Sequence, residues 1–241
     1  MARDLPAAQE FYRAVLGWSF RSTSLGDEFS VGLVDGEAVA GIGGLASTLR
    51  TAVAWTPYFV VDDVNGATSR VRERSATVAV GPLAMKTGRG ALAADPDGAV
   101  FGLWEGRIIP GWSIGKGQGP ARLELRTRDA FAAAIFYGQV LHWAPEGTPG
   151  LEVHYEQDRV VVRDGERTVS ALRGGAVGSA PDPRIRPRWQ VSFRVDDVDA
   201  AVAAALAAGG EAVAPPSSPP TGREATLRDP DGGMFTVVSD G

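Results

Sequence analysis

What most limits how this chain can fold is that it contains itself. Asp95 to Gly106 reads DPDGAVFGLWEG, and from Asp229 the chain reads DPDGGMFTVVSDG, an offset of 134 residues. The same offset pairs WTPYFVVDDV at Trp55 with WQVSFRVDDV at Trp189, Pro82 with Pro216, and TGR at Thr87 with TGR at Thr221. Further upstream, DLPAAQEFYRAVLGW at Asp4 pairs with DAFAAAIFYGQVLHW at Asp129, now offset by 125. A shared turn would not extend so far, so the chain is a duplication with a short insertion in its second copy. The expected domains are residues 1–106 and 121–241, joined by the Gly- and Pro-rich linker 107–120.

Each copy carries a helix, hairpins and a second helix. Ala8, Phe11, Tyr12, Val15 and Leu16 recur at helical spacing behind a capping Asp4 and before Gly17. In the second copy Ala133, Phe136, Tyr137, Val140 and Leu141 make the same stripe behind Asp129. Alternating segments broken by DG turns follow, then a strand, then a helix capped by Asp196 or Asp197. In the closing DPDG hairpin, Pro suits the second turn position and Gly a positive φ. Before Asp129 the alternating ARLELRTR supplies a first strand, whereas only MAR precedes Asp4. Three residues are too few for a strand, so copy one is expected to have seven strands and copy two eight. A start codon assigned too late, with a matching strand encoded upstream, is the expected cause.

Composition removes several classes of function. The 241 residues are 44% hydrophobic and 22% charged, with a formal charge of −5, which gives no basic footprint for nucleic acid. No apolar run approaches the roughly 20 residues of a membrane span, and Asp4 and Glu10 interrupt any leader, so a cytoplasmic location is expected. With no Cys there is no thiolate nucleophile or Cys-bound zinc. The two His residues, His142 at a helix end and His154 on a strand, read as structural or surface residues.

The pattern DL....FY...LGW, the V.DV before the second helix, and DPDG..F.L.E together resemble the vicinal oxygen chelate superfamily, which includes glyoxalases, bleomycin-resistance proteins and extradiol dioxygenases. The resemblance implies an α+β fold of two tandem domains. Each would be a pair of βαβββ modules forming an incomplete barrel around a cleft, with the first strand of domain 1 missing. Metal-dependent members use His, Gln or Glu on strands facing the cleft. Carried over, those positions hold Arg122, Thr56 and Gln190, then Gly or Ala, with Glu105 closing copy one and Ser239 closing copy two. This set is too poor in donors for a stable divalent site, so no cofactor is expected.

Function is read as small-molecule binding without a complete metal site. The alternative is a metal-dependent, glyoxalase-like lyase or a dioxygenase- or hydroxylase-like enzyme using Glu105 as its catalytic group. Glu105 reads either as a base in the cleft or as a solvated carboxylate at a strand end. In copy one, Thr56 and Tyr58 are expected to share the cleft with Phe101, Leu103 and Glu105, making an aromatic pocket for a small organic molecule. In copy two, Arg122, Glu124 and Arg126 alternate along one strand, and Gln190, Ser192 and Arg194 along another. These make either a cationic cleft for an anionic ligand or the wet face of an antiparallel sheet. A monomer is favoured over a homodimer.

Overall fold

The computed structural model describes all residues except 109–113, 116–118, 144–150, 157–158, 176–185, 220–221 and 240–241. Much of the expected linker and Thr221 of the second TGR lie outside the described residues.

In chain order the elements of the first copy are α1 (Leu5–Leu16), β1 (Ser19–Thr23), β2 (Gly26–Val34), β3 (Glu37–Gly43), α2 (Ala46–Leu49), β4 (Tyr58–Val60), α3 (Val64–Glu73), β5 (Thr77–Met85), β6 (Gly88–Ala94) and β7 (Val100–Gly106). The second copy has β8 (Arg122–Arg126), α4 (Ala130–Leu141), β9 (Glu152–Tyr155), β10 (Arg159–Asp164), β11 (Arg167–Arg173), β12 (Arg188–Arg194), α5 (Val198–Ala207), β13 (Glu211–Ala212), β14 (Arg223–Arg228) and β15 (Met234–Ser239). Among the described residues this is the expected seven strands against eight. Ala2 stands at the end of the missing strand's place. Its N–H donates to Gly43 O at 2.8 Å, as Thr127 N–H, just past β8, donates to Arg173 O at 3.1 Å.

The four long helices begin alike. Asp4, Asp63, Asp129 and Asp197 each have extended backbone and accept a hydrogen bond from an N–H of the first turn, satisfying a donor that the helix itself leaves unpaired. Their ends differ. Gly17 closes α1 in the left-handed region at φ 67°, and His142 closes α4 in the same region at φ 54°.

Packing does not follow the two-copy division. One compact unit comprises Met1–Trp55, Ile109–Arg122 and Gln190–Gly241; the other comprises Thr56–Ile108 and Leu123–Trp189. Each unit therefore takes half of each copy, so the halves of the two sequence repeats, 1–106 and 121–241, are exchanged in packing. In the first unit α1 packs on β2 and β3, α5 packs on β14 and β15, and the two helices touch. In the second, α3 lies on β5, β6 and β7, α4 lies on β10 and β11, and these helices touch in turn.

The reason is in the repeated phrases. In the first unit Tyr12 of α1 donates to Asp229 and accepts from Trp55 Nε1 at 2.9 Å, while its ring stacks on Trp18 at 5.6 Å. In the second unit Tyr137 of α4 donates to Asp95, accepts from Trp189 Nε1 at 2.9 Å and stacks on Trp143 at 5.6 Å. The FY of each copy is thus answered by the DPDG of the other. Around the first cluster Phe11, Phe193, Phe235, Leu227 and Val237 are buried, each contributing about 1.5–3 kcal/mol through apolar burial.

Candidate ligand-binding faces

In the second unit the strand pairing decides which side chains face a ligand. β4 runs parallel to β7 with Tyr58 beside Gly102 and Val60 beside Trp104. Paired residues share a side of the sheet, so Tyr58 lies opposite to Phe101 and Leu103. Those two are fully buried under the helices, Phe101 lying 5.2 Å from the Tyr137 ring and 6.0 Å from Phe136. The expected grouping of Tyr58 with Phe101, Leu103 and Glu105 is therefore corrected: alternation was read properly along each strand, but the register between them was not visible. Glu105 belongs to the helix side as well. Its Oε2 accepts from the Val64 N–H at 2.8 Å, at the first turn of α3, with Arg89 3.9 Å away. Thr56 is half-buried in the loop leading to β4.

The side turned away from the helices is apolar. Val60, Trp104, Gly90 and Leu83 form one row across β4, β7, β6 and β5, and Tyr58, Gly102, Leu92 and Val80 form the next. Tyr58, Val60, Leu83, Met85 and Val100 are all more than a third exposed. Two glycines let aromatic rings lie across this floor. A Cβ on Gly102 would stand 2.3 Å from the Tyr58 ring, and one on Gly88 would stand 2.8 Å from the Trp104 ring.

The other sheet of this unit, ordered β8, β11, β10, β9, carries charge on the side away from α4. Leu123 and Leu125 are buried, whereas Glu124 and Arg126 are half-buried on the opposite side. Glu124 Oε1 lies 3.1 Å from Arg126 Nη1, and its Oε2 lies 3.6 Å from Arg173 Nε. His154 sits beside Val161 on β9 and bonds Glu152 at 3.1 Å.

In the first unit β12 carries Gln190, Ser192 and Arg194 away from α5. Ser192, Thr236 and Thr226 stand on one rung of β12, β15 and β14. Gln190 Nε2 donates to Thr236 Oγ1 at 2.5 Å and lies 3.3 Å from Thr226 Oγ1. Arg122 Nη2 meets Glu224 Oε2 at 2.9 Å, and exposed Arg194 reaches Gly119 O at 3.3 Å. The six charged and polar residues read together in the sequence are thus divided. Arg122, Gln190, Ser192 and Arg194 belong to one unit, Glu124 and Arg126 to the other. Sequence reasoning missed Arg173, Thr226, Thr236 and Trp104; their only signal was alternation, which marks every two-faced strand equally.

Residues 122–238 match the glyoxalase-like domain family, and residues 1–103 match the glyoxalase/bleomycin resistance protein/dioxygenase superfamily. The chain is 31% identical over 243 residues to "Putative glyoxylase CFP32" of Mycobacterium tuberculosis, covering 98% of this chain and 90% of that protein. The chain belongs to the glyoxalase/bleomycin resistance protein/dioxygenase superfamily. The chain is also 32% identical over 254 residues to "Anthracycline biosynthesis protein DnrV" of Streptomyces peucetius, covering 98% of this chain and 89% of that protein. The fold is similar to that of the Mn(II)-bound glyoxalase from Novosphingobium aromaticivorans, with TM-score 0.55, 16% identity, and coverage of 99% and 79% of the two chains. A catechol 2,3-dioxygenase is similar at TM-score 0.57 and 13% identity, with coverage of 99% and 84%.

Superfamily membership raises a divalent ion as the implied group, and the donors present do not fit one. Glu105 is held by a helix N–H, Glu124 by two guanidiniums, Glu224 by Arg122, and His154 pairs with Glu152. Among the described residues no three of His, Cys, Asp and Glu gather as a metal site requires. No helix among them is long and apolar enough to cross a membrane.

Proposed function

We propose that this superfamily member binds a planar, aromatic small molecule on the apolar face of its second unit, without a resident metal ion. The observation that carries the reading is the floor made by Tyr58 lying over Gly102 and Trp104 over Gly88, bordered by exposed Val60, Val100, Leu83 and Met85. Apolar side chains gathered on one face of a sheet favour an organic ligand, and flat rings favour offset stacking with a flat partner. DnrV, a relative over nearly the whole chain, is named for anthracycline biosynthesis, and fused-ring ligands have the shape this floor suits.

The test is titration with neutral 2-naphthol, followed by tryptophan fluorescence. Saturable quenching is expected, weakened about tenfold in Tyr58→Ala and in Gly102→Val, where the new side chain displaces the ring. Binding indifferent to both changes, or no saturation, overturns the reading. The metal-dependent alternative is checked by elemental analysis after incubation with Mn(II), Ni(II), Fe(II) or Zn(II). About one equivalent retained per chain would restore it.

A further inference from the structure

On the charged sheet of the second unit, three arginines stand on a single rung. Arg126 of β8 pairs with Arg173 of β11, and Arg173 pairs with Arg159 of β10. Strands lie about 4.8 Å apart, so the three side chains leave the sheet as a row roughly 10 Å long. Like charges directly opposite one another on neighbouring strands are destabilising. Here two carboxylates offset them. Glu124 meets Arg126 and Arg173, and Glu156 meets Arg159. Among the described residues Arg126 and Arg173 share the single carboxylate of Glu124, which leaves one positive charge in excess at that end of the row. Arg173 Nε is buried and makes no hydrogen bond, Glu124 lying beyond bonding distance at 3.6 Å. All three arginine side chains keep between a quarter and a half of their surface open.

We infer that the Arg126–Arg173–Arg159 row is an anion-anchoring site that takes the carboxylate, sulfonate or phosphate group of the bound organic molecule. A guanidinium fork matches such oxygens with two parallel charge-assisted hydrogen bonds. Glu124 holds two members of the row in place and competes with the incoming anion for their donors. Naming the ligand as an aromatic acid rests on the proposed aromatic floor; the anion site itself does not.

Two probes separate the two ideas. Sulfate alone, titrated against chloride at constant ionic strength and followed by calorimetry, tests the row; 2-naphthoate against 2-naphthol tests the row together with the floor. Expected results are sulfate binding weakened about tenfold in Arg126→Gln and in Arg173→Gln, and strengthened several-fold in Glu124→Gln. That last increase is one a merely structural ion pair would not give. Naphthoate is expected to bind about tenfold more tightly than naphthol, with the ratio falling to about one in Arg126→Gln while naphthol affinity stays unchanged. Should Arg173→Gln fail to fold by circular dichroism, Arg126→Gln and Glu124→Gln carry the test. Sulfate binding that follows these variants in a protein indifferent to naphthol supports the row and overturns only the floor. Sulfate and naphthoate affinities unmoved by Arg126→Gln and Glu124→Gln overturn the inference.

Discussion

Tyr12 of the first copy donates its hydroxyl hydrogen to Asp229 of the second across 2.7 Å, and both side chains are buried. The two residues are 217 positions apart. Burial and the neighbouring Asp229 push the phenol well above its ordinary value of 10, so it stays protonated and remains a donor. Asp229 Oδ1 meanwhile accepts from Gly233 N–H at 2.7 Å, within the DPDG turn itself. A turn, a helix and Trp55 are thereby joined through one phenol oxygen.

Removing that oxygen is expected to be costly. Tyr12→Phe keeps the ring and its stacking but leaves the Asp229 oxygen and the Trp55 N–H without this partner. A buried polar group so abandoned costs about 1–3 kcal/mol; Asp229 is buried and the Trp55 N–H is part-buried, so the second loss adds less than the first. Urea unfolding should show a loss of about 2–4 kcal/mol for Tyr12→Phe, and a similar loss for Tyr137→Phe. A change under about 0.5 kcal/mol would show that the phenols only fill space.

A pH dependence follows from the matching pair in the second unit. Burial raises the Asp95 carboxyl above its ordinary 3.8, although the Ala99 N–H and Tyr137 O–H bonds act in the other direction. A raised native pKa means that the folded protein holds this proton more tightly than the unfolded chain does. The contribution to stability is therefore complete below 3.8 and is lost as pH rises through the native value. The stability of the protein relative to Asp95→Asn should fall as pH rises from below 3.8 through the raised native value. Chemical denaturation of both proteins across that range measures it. A flat difference, or one that grows with pH, contradicts the sign.

How much of this was legible in the sequence depends on whether a feature is local. The capping Asp residues, the stripe of Phe11, Tyr12, Val15 and Leu16, and the seven-against-eight strand count follow from short-range spacing and agree with the structure. The pairing of halves does not, because Asp95 and Asp229 occupy identical phrases and nothing local tells either which tyrosine to accept. The same limit explains Glu105. It does alternate with Phe101 and Leu103, but only the parallel register of β4 on β7 reveals that this side lies beneath the helices. Arg126 was visible as one charge among many. Its neighbours Arg173 and Arg159 join it only through strand pairing within the first module of the second copy.

The two copies also differ at a helix end, and that difference predicts a stabilising change. Gly17 adopts its left-handed conformation without a Cβ penalty, while His142 holds φ 54° at the equivalent position. A side chain there costs about 1 kcal/mol, partly offset by the greater freedom glycine has in the unfolded chain. His142→Gly should therefore stabilise the protein by about 0.5–1 kcal/mol, seen as a higher denaturant midpoint with an unchanged slope. A lower midpoint would mean that the imidazole makes a compensating contact.

The exchange of halves makes its own prediction about fragments. Residues 1–106 include α1 with β1 to β3, whose helix stripe is covered in the intact chain by Phe193, Phe235 and Val237. They also include α3 with β4 to β7, whose core face meets Phe136 and Tyr137. Produced alone, this fragment would expose two large apolar surfaces, and Asp95 would lose its phenol. Residues 121–241 would be left the same way, with Tyr137 lacking Asp95 and Asp229 lacking Tyr12. Each fragment alone is therefore expected to lack sharp, dispersed amide resonances by NMR and to bind a hydrophobic dye. Mixing them at equal concentration should restore a cooperative thermal transition, since every missing partner lies in the other fragment. A fragment 1–106 that folds cooperatively by itself would contradict the exchange, because its two modules would then have to cover each other.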